Sequence, residues 1–339
     1  MVRFLSWRGH RGRHRHQRHE DAVDSPSKPV HRDLRRGAPT FLAALLATWL
    51  VLLFTGFALM IWPFTSNSLP NALRASGSSL FTLGFAAPTA PAPLVIVFIA
   101  AASGLVTVAL QIAYLPSLYA AFNRRETSVT MLDALAGSPA WGPELLARQA
   151  VINNIAYLPR LYDRWTEWAA DISESHATYR TLVYFRSPEQ GRSWLIALVA
   201  VLDAAALHLA LCPASAPPEA RPLLRVGYVT IRQLARGLRL DGSGDPRPDD
   251  PIALERDDFD QALARLHDVE WPFERSADEA WLDFRGWRVN YETAAYALAA
   301  HLDLPPAPWS GPRRHATEPL GAPSQPSDRI SKKRGTSDK

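Results

Sequence analysis

Two uninterrupted apolar runs, Ala38 to Trp62 and Leu94 to Phe122, stand ahead of a long amphipathic region. Neither run contains a charged side chain, and Gln111 is the one strongly polar residue of the second. As helices they would measure roughly 36 and 43 Å, enough to cross a hydrocarbon core of about 30 Å. The pattern predicts two membrane spans, over 38–62 and 94–122.

The segment between the spans is too short for an external domain. Pro63 and Pro70 break the chain after the first span, and Ser68 is a capping-type residue ahead of Pro70. Asn71 to Phe81 then gives about three helical turns, roughly 16 Å, which is half a membrane. Ala75, Ser76, Gly77, Ser78 and Ser79 are small enough for close helix contact, and Pro88, Pro91 and Pro93 force a non-helical exit. Irregular backbone at membrane depth requires burial in protein or a water-filled path. We read 68–88 as a re-entrant loop inside a transmembrane domain spanning 38–126.

Beyond Glu126 the apolar residues recur at helical spacing, with weak strand signals, and predict an all-α domain over 127–304. Helices are expected over Glu126–Ala136, Pro143–Leu158, Pro159–Ala177, Trp194–Leu211, Glu219–Leu240, Phe259–Val269 and Ala277–Leu302. Trp194–Leu211 is apolar on every face. A third span would have to carry Asp203 near its middle, whereas a buried central helix explains the same pattern and is the preferred reading. Asp203 then needs a buried partner, for which His176 or Arg180 is the expectation. The tryptophans Trp165, Trp168, Trp271, Trp281 and Trp287 are expected in the core.

The two ends are polar. Residues 1–37 hold the run from Arg8 to His19 and read as a disordered basic tail that no apolar signal segment follows; 305–339, rich in Pro, Ser and Lys, reads likewise. Arg32, Arg35 and Arg36 precede the first span, and Asn123-Arg124-Arg125 follow the second. The positive-inside rule puts both termini in the cytoplasm of a multi-pass plasma-membrane protein, with Trp62 anchoring the outer interface. The preferred reading of the basic tail is a solvated topology determinant; the alternatives are an arm on anionic lipid headgroups, a transition-metal site in its histidine cluster, and nucleic-acid binding, which would need a folded reader that the sequence does not offer.

Composition adds limits. The 339 residues carry a net charge of +4, much of the excess lying in the first tail, and the mean hydropathy of −0.11 conceals the segregation of apolar residues. One cysteine, Cys212, excludes an intramolecular disulfide and a cysteine-based metal site. There is no Gly-x-Gly-x-x-Gly, P-loop or Gly-x-Ser-x-Gly motif, and no regularly spaced arginine series in either span. His176, with Glu174 and Asp171, is the nearest approach to acid–base or metal chemistry, and a polar helix end is the preferred explanation of it. No paired catalytic motif occurs, so no enzyme, cofactor or metal is expected.

Candidate chemistry therefore centres on Thr82-Leu83-Gly84-Phe85, which follows the short helix. It resembles the selectivity filter of the pore-loop potassium-channel family, whose usual form is Thr-Val-Gly-Tyr/Phe-Gly. Such a filter needs carbonyls that replace an ion's hydration shell, and Gly84 permits the positive φ this backbone requires. The resemblance implies that Thr82 forms the innermost site, that Phe85 packs outward, that Gly104 is a gating hinge, and that the permeant ion is a monovalent cation, potassium by preference. Gly104 reads equally as a packing glycine. Pro116 is expected to kink the cytoplasmic third of the second span, either to set a gate or as an interfacial bend beside Tyr114 and Tyr119. Ala86 and Ala87 stand where the family has Gly and often Asp, and Phe81 where it often has Thr or Ser; these departures bear on selectivity more than on architecture. The phrase from Trp165 to His176, with Arg186-Ser-Pro and Ser193-Trp, resembles the cytoplasmic region of some bacterial ion-channel-domain proteins. Two spans cannot enclose a path alone, so the resemblance implies a homotetramer whose helical domain, answering to an unknown cytoplasmic ligand, couples through Arg125 to Leu135. The alternative is a non-conducting, membrane-anchored oligomeric binding or sensor protein with a degenerate pore.

Overall fold

The computed structural model describes residues 37–86, 88–189, 191–240 and 245–311; among these the protein is helical, with no strand. The basic tail expected over 1–37 lies outside them up to Arg36, as do the filter-flanking Ala87 and residues 312–339.

The two apolar runs form α1 (Gly37–Ile61) and α3 (Pro91–Ala136), both long and apolar enough to cross a membrane. Between them a 3-10 turn, Trp62–Phe64, leads to α2 (Leu69–Leu80), whose first turn contains Pro70 where a missing N–H costs nothing. Ile61, Ala72, Ala75 and Val97 form one small apolar cluster. The end of α1 therefore lies beside the starts of α2 and α3. The start of α1 and the second half of α3 lie on the opposite side.

At 46 residues α3 is about 69 Å long, more than twice a hydrocarbon core. It continues through Pro116 as one helix. Its apolar run extends past Tyr114 for a reason other than lipid: Leu118, Ala121 and Phe122 are buried against Leu182, with Tyr179 and Phe185 packed alongside. Protein from the helical domain covers this stretch.

That domain comprises α4 (Gly142–Val151), α5 (Leu158–Thr178), α6 (Trp194–Leu211), α7 (Ala220–Gly237), α8 (Arg256–His267), α9 (Ala277–Arg288) and α10 (Glu292–His301). A third helix of membrane-crossing length and apolarity, α6, is its axis. Every residue of α6 is buried, enclosed by α4, α5, α7, α9 and the end of α3. The Ser193 hydroxyl caps it by accepting from the Leu195 N–H at 3.3 Å. Trp165, Trp168 and Trp271 are buried in the same core, and Trp281 and Trp287 pack on its edge.

Three expectations need correction. The helix expected over Pro143–Leu158 stops at Val151. There Asn153 adopts a left-handed φ of 51° and the Asn154 N–H donates to the Gln149 carbonyl at 2.8 Å, an asparagine version of a helix stop. The long last helix is two helices, because the Asn290 amide donates to the Gly286 and Trp287 carbonyls at 3.0 and 3.1 Å and ends α9. The polar tail begins later than Pro305. Ala307 and Trp309 are buried, and the Trp309 ring meets Trp141 and Phe284 at 5.8 and 5.5 Å.

Candidate functional site

α2 is positioned by residues small enough to let it sit between α1 and α3. The Ser76 hydroxyl donates to the Phe54 carbonyl of α1 at 2.7 Å, and a Cβ on Gly77 would lie 3.2 Å from the Phe54 ring. Gly104 of α3 faces Leu80, where a Cβ would overlap the Leu80 carbonyl oxygen. From Ala72 to Leu80, the contacts of α2 thus step from Ile61 back to Phe54 and from Val97 on to Gly104. Each step is seven residues, a descent of about 10 Å along the flanking helices.

At the bottom of that descent the chain turns back through Thr82-Leu83-Gly84-Phe85, with Ser78 as its hub. The Ser78 carbonyl accepts from the Leu83 and Gly84 N–H groups at 2.8 and 3.2 Å, and its hydroxyl accepts from the Ala86 N–H at 2.9 Å. Sequence reading passed over Ser78 as one small residue among several. Positive φ occurs at Thr82 (54°) and at Gly84 (72°), with Leu83 between them on the ordinary side. For Gly84 this conformation carries no penalty; for Thr82, β-branched, it costs roughly 1–2 kcal/mol. Such strain persists only where the surroundings dictate it, and it concentrates at functional sites. The Thr82 hydroxyl donates to the Phe81 carbonyl at 2.8 Å. Leu83 and Phe85 are 63% and 60% exposed in the single chain.

Of the two residues linked to gating, Gly104 by resemblance and Pro116 by its expected kink, Gly104 meets the last residue of α2, and Pro116 lies beside the stretch of α3 that Leu182 covers. Below them is the joint between α3 and the helical domain. Arg125 follows the second apolar run with Arg124, where the positive-inside rule counts it as a membrane-flanking charge, yet its side chain is fully buried in protein. It donates to Glu126 Oε1 at 2.9 Å, to the Leu182 carbonyl at 2.7 Å and to the Phe185 carbonyl at 2.6 Å; its Nη1 lies 3.3 Å from His176 Nε2. The Trp168 indole donates back to the Arg125 carbonyl at 3.3 Å. Burial, and then the neighbouring Arg125 charge, push the His176 imidazole down to about 3 against a weaker opposing hydrogen bond to Ile172.

The trio Asp171, Glu174 and His176 is not assembled for chemistry. Asp171 pairs with Arg124 at 3.0 Å, His176 turns into the joint, and Glu174 is exposed. Among the described residues no group of three His, Cys, Asp or Glu side chains could hold a metal ion. The partner of Asp203 is neither His176 nor Arg180. It is Arg288, which bonds Asp203 directly and donates to Glu292 at 2.8 Å and to the Trp309 carbonyl at 2.6 Å, while the Tyr291 hydroxyl donates to Asp203 at 2.6 Å. This network ties α6 to α9, to the start of α10 and to the segment around Trp309. Nothing in local spacing announces a partner 85 residues away.

No family model matches this chain, and comparison with curated proteins and with solved structures gives no match.

Proposed function

We propose that the protein is a cation channel of the pore-loop kind, potassium-preferring, in which four copies bring the 81–86 loops around one axis. The observation that carries this reading is the strained turn after α2: a half-membrane helix between two membrane-length helices, ending in a backbone that alternates the sign of φ at Thr82, Leu83 and Gly84. That alternation is what lets successive carbonyls face one direction, which a dehydrated ion needs. A loop at this depth with Leu83 and Phe85 largely uncovered requires further protein around it or a water path beside it, and a ring of copies supplies both. In this reading Thr82, Leu83, Gly84 and Phe85 line or brace the path, α3 is the inner helix, and the domain beyond Glu126 is cytoplasmic. The plasma membrane and the inward placement of both termini belong to the same proposal.

One observation favours the alternative of a non-conducting oligomeric anchor: the exposed Phe85 ring is not packed behind the loop by its own chain. Reconstitution decides between them. Potassium-driven flux in liposomes, exceeding sodium flux and abolished by Gly84→Asp, is expected of the channel. A tetramer that carries no ion with its cytoplasmic domain removed or intact would instead establish the anchor.

A further inference from the structure

The end of the helical domain nearest the membrane carries an unusual set of side chains, and its place in the fold says what it meets. α5 runs antiparallel to α3: Arg164 reaches Met131, Asp171 reaches Arg124, and Tyr179 packs edge-on against Tyr114 at 5.3 Å. α7 runs in the same sense as α5, since Thr230 donates to the Ala169 carbonyl and Gln233 accepts from Ser173. The last turn of α7 therefore rises to the level of Tyr179 and of α3 near Tyr114. Twenty residues counted from Leu94 use up a hydrocarbon core of about 30 Å and end at 113. The segment 179–185 and the end of α7 thus stand at the headgroup level of the inner leaflet.

At that level Arg180, Arg236 and Arg239 are exposed and make no ion pair among the described residues. Arg124 is exposed beside them but engaged with Asp171, and Glu174 is the other acid on this end of α5. Tyr119 and Tyr184 are exposed on the same stretch. Arginine mixed with tyrosine at the end of a span is the composition of a membrane interface, where the ring sits among headgroups and the cation among phosphates. A soluble acidic partner would not call for the exposed aromatic rings.

We propose that Arg180, Arg236 and Arg239 form a binding surface for the phosphate headgroups of anionic phospholipids in the inner leaflet, so that the helical domain is seated on the membrane as well as joined to α3. The inference rests on α1 and α3 crossing the membrane; it does not need the pore to conduct.

The test uses the full chain in nanodiscs of phosphatidylcholine alone, or with about one-third phosphatidylglycerol, and reads amide hydrogen exchange. With phosphatidylglycerol, exchange across 178–186 and 235–240 should slow by about tenfold, the factor that one or two cations at an anionic surface supply. High salt should reverse it, and Arg180→Gln, Arg236→Gln and Arg239→Gln combined should abolish it while leaving helix content unchanged. Inorganic phosphate added to the phosphatidylcholine discs should not reproduce the effect; if it does, the surface takes free anions and the lipid assignment is wrong. Equal exchange in both lipids, or a phosphatidylglycerol effect that survives the triple substitution, would overturn the proposal. Amides over 95–113 report separately on insertion. Their protection in both lipids keeps the membrane reading, and their rapid exchange would remove its premise.

Discussion

The Arg125 guanidinium and the His176 imidazole meet at 3.3 Å, both enclosed in protein where α3 joins the helical domain. A guanidinium can only donate, so His176 Nε2 must accept, and the ring is neutral with its proton on Nδ1. Protonating it would set two cations against each other in a site enclosed by protein.

This arrangement makes the joint acid-sensitive. The ordinary imidazole of the unfolded chain takes up its proton near 6.5, whereas the folded ring is held down to about 3 by burial and by Arg125. Between those values the unfolded state binds more protons, so stability contributed above pH 6.5 is lost as the pH falls toward 3, on the order of a few kcal/mol in all. Thermal unfolding from pH 7.5 to 4, followed by tryptophan fluorescence, should show this decline. His176→Gln, which can still accept from Arg125, should flatten it. An unchanged slope would mean that other groups carry the acid response.

The two helices of membrane-crossing length and the short helix between them were legible because charge-free runs and proline breaks are local properties. The buried character of α6 was legible for the same reason: an apolar surface on every face needs cover all round. The joint was not. Arg125 sits after an apolar run, where a basic residue ordinarily marks the membrane edge, and only the fold brings the Leu182 and Phe185 carbonyls onto it. Thr82 was assigned by resemblance, but its strain comes from Ser78 gathering the returning backbone. Likewise Trp309, in a stretch of prolines, reads as tail until the buried Arg288 is seen to need its carbonyl.

The Asp203–Arg288 pair should behave as a buried ion pair does, costly to break and cheap to replace. Arg288→Met leaves Asp203, Glu292 and the Trp309 carbonyl without their shared donor and should destabilise the helical domain by about 3–5 kcal/mol. Asp203→Leu combined with Arg288→Met should cost clearly less than the sum of the single changes. Denaturant titration of the three variants checks this. Strict additivity would show that the two groups are not energetically coupled.

Arg74 is the single charged residue between Gly37 and Asn123, and it is exposed on α2. In a four-fold arrangement its cation would be repeated around the approach to the 81–86 loops and would repel entering cations. Arg74→Glu should raise potassium flux at low ionic strength by about two- to threefold, and the gain should fade in high salt as the Debye length shrinks. A gain independent of salt would place the effect of Arg74 in structure rather than in the field at the entrance.

Gly104 has two readings that one substitution separates. A hinge glycine matters for what the helix can do when it moves, so alanine, the better helix former by about 1 kcal/mol, would stiffen α3 and leave the resting structure intact. A packing glycine matters for what touches it at rest. Here a Cβ would overlap a backbone oxygen, that of Leu80, which no side-chain rotation can relieve. Leu80 is the last residue of α2, two positions after the serine that holds the loop. Gly104→Ala should therefore push α2 away from α3, loosen the turn at Thr82 and lower assembly of the proposed tetramer, seen as loss of its crosslinked form in membranes. Gly56→Ala, where a Cβ meets nothing within 4 Å, provides the control in α1. A Gly104→Ala protein that assembles normally and alters only the opening of the proposed pore would assign the residue to the hinge instead.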